Sequence, residues 1–264
     1  MEKKNAIAMV KLAFETVYPD RIFDIEKEVR WATHKKTLAR FQEITSDECF
    51  RELVKVVFYS GFRAETVTSK LNIIMGHLGD YKRVAAFTER DIARILADER
   101  MIKNEAKIRG CVINAKTLLS IDREFGSLRD FILSISADFP NDKDRIPTLL
   151  ERLKKAFKYL GPRTGRHFLM QLGFPMVKPD VMVMRLLFRL GLIAGESDEY
   201  IDDAVKTCLE IAELADIPPI FVDELLVKVG QSEGANLCSK ARPKCGMCKL
   251  VPFCHYVESA KRDR

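Results

Sequence analysis

Long apolar runs are missing from this 264-residue sequence, and none approaches the length of about 20 residues that a membrane-spanning helix needs. Segments that alternate apolar and polar residues are also missing, which argues against a sheet-based fold. No low-complexity linker, internal repeat or secretory signal pattern is present, and residues 1–17 have the pattern of an amphipathic helix. These absences predict a soluble, cytoplasmic, all-α protein.

A helical period runs along most of the chain. Apolar residues recur at intervals of three and four, and capping boxes such as Thr45 with Glu48 and Thr88 with Asp91 mark helix starts. Connections are short, so we expect two lobes packed on each other rather than domains on a flexible linker. The predicted helices cover residues 5–18, 47–59, 64–77, 88–97, 103–122, 126–135, 146–158, 164–172, 180–193, 198–214 and 219–229.

Acidic residues are absent from residues 152–179, although the net charge of +6 and the pI of about 8.9 are modest. The seven basic residues of this stretch make it a candidate contact for a polyanion, with a solvated helix face as the alternative.

The centre of that stretch holds a turn in which Gly161 ends one helix and Pro162 starts the next. Such a hairpin directs backbone N–H groups to one spot, where phosphate is the natural ligand. A tight helix–helix turn without a ligand is the alternative. The candidate phosphate-binding residues are Gly161, Arg163, Thr164, Gly165 and Arg166.

Four of the seven cysteines close the chain, with six, two and five residues between successive members. They are Cys238, Cys245, Cys248 and Cys254. An all-thiolate site of this kind suits zinc or an iron–sulfur cluster, and the single Cys-x2-Cys knuckle favours [4Fe–4S] over a zinc ribbon. Disulfides are disfavoured because the cysteine total is odd, the other three lie in helical patterns, and no signal peptide precedes them.

A single aspartate, Asp180, stands at the start of a predicted helix directly after Pro179. The helix macrodipole favours a negative charge at that position. A role limited to capping the helix is the alternative to a catalytic carboxylate.

These motifs resemble those of one superfamily. The cysteine loop looks like the cluster loop of endonuclease III and its adenine-mismatch relatives, which are helix-hairpin-helix DNA glycosylases. Residues 92–131 and 157–173 resemble the type I 3-methyladenine DNA glycosylases, and Asp180 precedes a helix that ends in Arg-Leu-Gly-Leu, as in the glycosylase motif. The resemblance to the type I enzymes covers roughly residues 50–175, and the resemblance to endonuclease III covers roughly residues 175–255.

The resemblance implies a two-lobed, all-α helix-hairpin-helix fold with a C-terminal [4Fe–4S] loop. Residues 46–174 would form a six-helix lobe, and residues 1–45 would join residues 175–264 in the cluster lobe. The implied protein is a monomer in the nucleoid-containing cytoplasm, without a membrane partner, that binds double-stranded DNA containing a damaged base. Its implied activity is base excision without strand cleavage, because Arg163 replaces the Schiff-base lysine of the bifunctional enzymes.

The resemblance also implies roles for further residues. Asp180 would stabilise positive charge on the sugar, and Phe62 would fill the gap left by the flipped base. Trp31, Phe58 and Tyr59 are the candidate walls of the base pocket.

Two departures concern the substrate. Val56 and Ala64 stand where type I enzymes have a pocket carboxylate and a tryptophan. Alkylated purines are therefore expected as a class, with a deaminated or mismatched base as one alternative and a non-catalytic iron–sulfur DNA-binding protein as another.

Overall fold

The computed structural model describes residues 1–21, 41–137, 142–174, 176–231 and 234–257, without the side chains of residues 136, 137 and 142–145. Helices are the only regular secondary structure in these residues. They are α1 Lys3–Val17, α2 Ser46–Tyr59, α3 Ala64–Leu78, α4 Tyr81–Ala85, α5 Glu89–Ala97, α6 Glu105–Phe125, α7 Leu128–Ala137, α8 Asp142–Ala156, α9 Pro162–Gln171, α10 Val181–Arg189, α11 Ile201–Ala215 and α12 Pro219–Gly230, with 3₁₀ turns at Asp198–Tyr200, Cys245–Met247 and Val251–Phe253. The prediction of an all-helical protein is confirmed for the described residues.

Side chains fix several helix starts as the sequence predicts. The Thr45 hydroxyl accepts a hydrogen bond from Glu48 N at 3.2 Å, and Glu48 Oε2 accepts from Thr45 N at 2.9 Å. A second capping box joins Thr88 and Asp91 at the start of α5. Both capping boxes are confirmed, and each satisfies backbone donors that the first helical turn leaves without partners.

Several helix bounds differ from the sequence prediction, and α10, for example, ends at residue 189 rather than 193. The five-residue helix α4 was not predicted, because a single turn is too short to show an apolar period. It is fixed instead by polar contacts, since Asp80 accepts from Arg83 N and the Tyr81 hydroxyl donates to Asp122 at 2.5 Å. Helix α8 begins at residue 142 rather than 146 and contains Pro147 at its sixth position, where the missing N–H removes one internal backbone hydrogen bond of the helix.

The chain divides into two compact units. We call residues 1–36 with 175–264 the terminal unit, and residues 37–174 the hairpin unit. In the terminal unit, α1 packs against α11 and α12, and α10 packs against both of the latter helices. Its core is formed by buried side chains such as Phe14, Leu187, Cys208 and Leu226, each of which contributes up to about 3 kcal/mol through burial.

In the hairpin unit, the 21-residue helix α6 is the central element. It packs against α2, α4, α5 and α7, while α9 packs against α2 and α8. Fully buried side chains that include Phe50, Leu118, Leu128 and Phe168 form the core. None of the helices in the described residues combines the length and the apolar character that crossing a bilayer would demand.

Candidate functional site

The hairpin between α8 and α9 takes its shape from residues before the predicted glycine. Gly161 has an extended backbone (φ −88°), which any residue can adopt. The left-handed conformation falls on Tyr159 (φ 67°), a position where a side chain is strained. Lys154, Lys155 and Lys158 are exposed around this turn, so the basic stretch does present positive charge at the hairpin.

Hydrogen bonds within the hairpin use several of the predicted phosphate-binding groups. Thr164 Oγ1 accepts from Gly161 N at 2.7 Å, and Gly165 N donates to Gly161 O at 2.8 Å. A Cβ atom at Gly165 would lie 3.1 Å from Leu150 Cδ2, so this glycine permits close packing of α9 on α8. These contacts fix the conformation of the turn and its packing on α8.

The assignment of Arg166 to DNA binding stays a prediction, although Arg166 is more buried than Arg163. Arg166 was expected beside the phosphate site, and its side chain is buried and its Nη1 donates to Pro162 O at 3.0 Å. The guanidinium folds back onto the first turn of its own helix, because that turn offers carbonyl acceptors close to the core. Arg163, which is only partly buried, is the better candidate for contact with an anion.

Helix α6 binds the hairpin through hydrogen bonds of the Asn114 side chain. This fully buried side chain donates from Nδ2 to Lys158 O at 3.1 Å and accepts at Oδ1 from Lys158 N at 2.6 Å. One turn earlier, a Cβ atom at Gly110 would lie only 2.5 Å from the Tyr159 ring, so the glycine is needed for this close approach. The strained residue Tyr159 is therefore constrained by the hydrogen bonds of Asn114 to the preceding residue and by the packing of its own ring on Gly110.

The same face of α6 also contacts residues 60–62, which we call the wedge loop. The buried Lys107 ammonium donates to Ser60 O at 2.6 Å and to Val57 O. It also lies 5.5 Å from the centre of the Phe62 ring and 4.8 Å from that of Tyr159. Burial lowers the pKa of Lys107. Phe62 remains partly exposed, as a wedge residue would require.

The predicted pocket walls have different environments. Phe58 is fully buried, as a core residue is, and Tyr59 is partly exposed with its hydroxyl 2.9 Å from Thr68 Oγ1. Trp31 lies outside the described residues. The assignment of these aromatic residues to a base pocket stays a prediction.

Asp180 caps helix α10. Its Oδ1 accepts hydrogen bonds from Met182 N at 2.8 Å and Val183 N at 3.0 Å. The side chain is half-buried, and Oδ2 makes no hydrogen bond to the residues that the structure describes. The capping role is thus confirmed. It uses Oδ1 and leaves Oδ2 available to contact a substrate.

The four C-terminal cysteines line one cavity, together with apolar side chains that include Leu186, Leu190 and Leu250. Burial raises the pKa of the Cys238 and Cys248 thiols, whereas the Arg189 guanidinium acts in the opposite direction on Cys238. Within the described residues, no group of three or more His, Cys, Asp and Glu side chains has the arrangement of metal ligands.

Arg189, the last residue of α10, ties the cysteine loop (residues 238–254) to that helix. Its Nη1 donates to Cys238 Sγ at 3.2 Å and to Ser239 O at 2.9 Å, its Nη2 donates to Lys240 O at 3.0 Å, and the guanidinium stacks 4.4 Å from the centre of the Tyr256 ring. Asp180 and the cysteine loop therefore lie at opposite ends of one short helix.

Gly191 allows the loop to close against the end of that helix. It has a left-handed backbone (φ 69°), and a Cβ atom there would lie 2.2 Å from His255 Nδ1. This contact gives a physical reason for the glycine of the Arg-Leu-Gly-Leu motif. Four soft sulfur donors, an apolar cavity and an N–H donor to sulfur are the kinds of group that surround iron–sulfur clusters in proteins.

Sequence reasoning missed Lys107 as a site residue, and it missed the buried Asp223 of α12. Each is a charged residue at a core-facing position of an amphipathic helix. Such a position is unusual for a charged residue and could have indicated a site residue from the sequence alone.

Comparisons with known proteins give one family match and several structural neighbours. The family model for methyladenine glycosylase matches residues 34–183. An 8-oxoguanine glycosylase/lyase from Methanocaldococcus jannaschii, solved in complex with DNA, shares the fold at a TM-score of 0.53 and 16% identity, covering 83% of this chain and 97% of that one. A mutant 3-methyladenine DNA glycosylase I from Staphylococcus aureus is 24% identical, with a TM-score of 0.43, over 49% of this chain and 77% of that one. Because the family model spans more than half of the sequence, this chain belongs to the methyladenine glycosylase family of DNA glycosylases.

Proposed function

We propose that this protein is a monofunctional DNA glycosylase that hydrolyses the N-glycosidic bond of alkylated purines in duplex DNA, with Asp180 as the catalytic carboxylate. The observation that carries the proposal is the half-buried Asp180 with Oδ2 unoccupied by the described residues, inside the segment that the family model matches. The family description supports methylated adenine as the type of base. Val56 and Ala64 favour the wider class over 3-methyladenine itself.

The proposed chemistry needs a fixed negative charge. Breaking the glycosidic bond leaves positive charge on the sugar, and a carboxylate near C1′ stabilises that charge and orients the attacking water. At a separation of about 4 Å and an effective dielectric constant near 20, one carboxylate contributes roughly 4 kcal/mol. This energy corresponds to about a thousandfold in rate.

The hairpin unit would bind the DNA. The exposed lysines at the end of α8 and the first turn of α9 supply positive potential and backbone donors for a phosphate. Phe62 would enter the stack when the damaged base leaves it, and Lys107 keeps the wedge loop rigid.

Two observations support the absence of a lyase step. Arg163 occupies the hairpin position of the bifunctional enzymes' lysine, and a guanidinium is not deprotonated near neutral pH. Lys107 is buried and its ammonium binds two backbone carbonyls, so it is not available as a nucleophile.

We further propose that Cys238, Cys245, Cys248 and Cys254 hold a [4Fe–4S] cluster. The shared cavity, the sulfur donor set and the Arg189 contact to Cys238 support it. Such a cluster can carry an electron or act as a structural cross-link. Protein purified without oxygen should contain about four iron and four sulfide per chain. A colourless, active protein with one zinc per chain would contradict this proposal.

The substrate class is tested with duplexes that each contain one defined lesion. The panel comprises an alkylated purine with a cationic base, a neutral alkylated purine, uracil, a mismatched adenine and undamaged DNA. We expect release of the free alkylated base and an abasic site without strand cleavage. Faster release of uracil or mismatched adenine would move the substrate to that class, and binding without any release would indicate a non-catalytic DNA-binding protein.

A further inference from the structure

The buried carboxyl group of Asp223 contacts the turn that precedes Asp180. Asp223 is on α12 in the terminal unit and is only 5% exposed. Its Oδ1 accepts a hydrogen bond from Lys178 N at 2.8 Å. Isolated acidic side chains are rarely buried to this extent, because desolvation of the charged form is costly.

The contact to Lys178 fixes a tight turn. Asp180 N donates to Lys178 O at 2.7 Å, which closes a three-residue turn around Pro179. Proline restricts its own φ, so little freedom remains between Lys178 and Asp180. Both backbone polar groups of Lys178 are engaged, the N–H by Asp223 and the carbonyl by Asp180.

The contacts therefore form a continuous chain from the core to the candidate catalytic oxygen. Asp223 accepts a hydrogen bond from Lys178 N, and Lys178 O accepts one from Asp180 N. Asp180 Oδ1 in turn accepts one from Met182 N in the first turn of α10. The direction of Oδ2 follows from these fixed points. Removal of the Asp223 acceptor would leave a partly buried backbone N–H without its partner and would free the turn to move.

The protonation state of Asp223 suits this task. Burial, reinforced by the nearby charge of Asp180, raises the pKa of Asp223 to about 8. Lys178 and Glu224 are the other charged neighbours, and the buried Cys208 thiol of α11 also interacts with the carboxyl group. At neutral pH the group is mainly a neutral acid, which accepts the hydrogen bond without adding a second negative charge beside Asp180.

We propose that Asp223 is a positioning residue for the glycosylase reaction, which aims the catalytic oxygen of Asp180 by holding the backbone of Lys178. This inference rests on the proposed function, because it assigns no role to Asp223 apart from Asp180. Asp223 itself does not contact the substrate in this assignment.

The test compares Asp223→Ala, which removes the acceptor, with Asp223→Asn, which keeps a neutral acceptor of the same shape. Single-turnover excision and lesion-duplex affinity are measured at pH 7 on the panel duplex that wild-type protein cleaves fastest. Asp223→Ala should slow excision by about 10- to 100-fold, the scale of a small misplacement of a catalytic group, while the dissociation constant changes by less than about threefold. Asp223→Asn should stay within about threefold of wild type.

A double-mutant cycle separates positioning from general stability. In an Asp180→Asn background, Asp223→Ala should cost less than about threefold, because the oxygen that it aims has already lost its charge. Equal losses in both backgrounds, or no loss with Asp223→Ala, would overturn the inference. Wild-type excision and its loss in Asp180→Asn test the proposed function separately.

Folding of the variants is checked by cooperative melting. If Asp223→Ala does not fold, Asp223→Leu fills the same space without offering an acceptor and takes its place in the cycle. The Asn variant is decisive even alone, because a loss of more than about tenfold there would mean that the acid itself is required.

Discussion

The hairpin and the cysteine loop are both irregular connections at which function is expected, but they are held together differently. The hairpin is completed by the protein's own side chains, with Asn114 on the backbone of Lys158 and Thr164 on Gly161. The cysteine loop has two 3₁₀ turns, a cavity lined by four thiols, and the Arg189 contacts. The hairpin can therefore keep its shape without a ligand, whereas under the proposed cluster assignment the cysteine loop would depend on the cluster that its thiols hold.

The two loops also differ in what supports their function. The family model includes the whole hairpin and ends at residue 183, within the first turn of α10. The cysteine loop lies beyond that match, and the role proposed for it is supported by the sequence pattern and the shared cavity. Helix α10 connects the matched segment to the cysteine loop, because Asp180 caps one end and Arg189 binds the cysteine loop at the other.

Among substitutions in the two loops, replacement of a cysteine should have the largest effect. Cys248→Ser should remove most of the iron and destabilise the terminal unit by several kcal/mol, because metal-binding free energy is also folding free energy. Iron analysis and thermal melting of anaerobically purified protein provide the measurement. Cys208→Ala is the matched control in the same unit and should keep its iron. Full iron content and an unchanged melting curve in Cys248→Ser would exclude this thiol as a ligand.

Loss of the Asp180 charge should have the next largest effect. Asp180→Asn keeps a capping oxygen and should lower single-turnover excision by roughly 100- to 1000-fold, with lesion binding preserved. The loss should be smaller on a cationic alkylated base, whose bond is already weakened. The exposed Asp203, also in the terminal unit, supplies the control Asp203→Asn, for which no change is expected. Unchanged excision of both lesion types would remove Asp180 from the mechanism.

A substitution in the hairpin should affect DNA binding alone. Gly161 has an ordinary backbone conformation, and a Cβ atom there would make an ordinary 3.8 Å contact with Thr164. Gly161→Ala should therefore melt within about 1 kcal/mol of wild type. If a phosphate approaches this backbone, duplex binding should weaken by about tenfold at low salt. Gly76→Ala, on an open face of α3, is the control. Equal duplex affinity in both variants would make the hairpin a structural turn only.

The smallest expected effect is on the pH dependence of stability. The folded-state pKa of Asp223, about 8, lies above the ordinary value of 3.8, so the folded protein retains a proton that the unfolded chain releases. Wild type should lose about 1 kcal/mol of unfolding free energy relative to Asp223→Asn between pH 6 and pH 7. Denaturant titrations at the two pH values measure this difference. Parallel pH profiles would show that Asp223 is not a neutral acid in the folded protein.

The sequence predicted the features that depend on local chemistry. The capping boxes at Thr45 and Thr88, the hairpin around Pro162 and the cap at Asp180 all involve residues within four positions of each other. Apolar periodicity located the long helices for the same reason. It missed α4, whose single turn depends on a contact between Tyr81 and Asp122.

The features that the sequence did not predict depend on contacts between distant residues. Lys107 binds the backbone 47 residues earlier, at Ser60, and Asp223 binds Lys178 across 45 residues. The burial of the Arg166 side chain depends on how closely α9 packs against α8, and no local sequence pattern encodes that packing. Charged residues at core-facing helix positions were the visible sign of such contacts.

The most direct test of the account is base release from a duplex that contains one alkylated purine, followed by alkali treatment and, separately, by borohydride trapping. The monofunctional mechanism predicts free base, an abasic site that is cut only by alkali, and no covalent protein–DNA adduct. Release should fall by at least about 100-fold in Asp180→Asn. Absence of base release by the wild type, or a borohydride-trapped adduct, would contradict it.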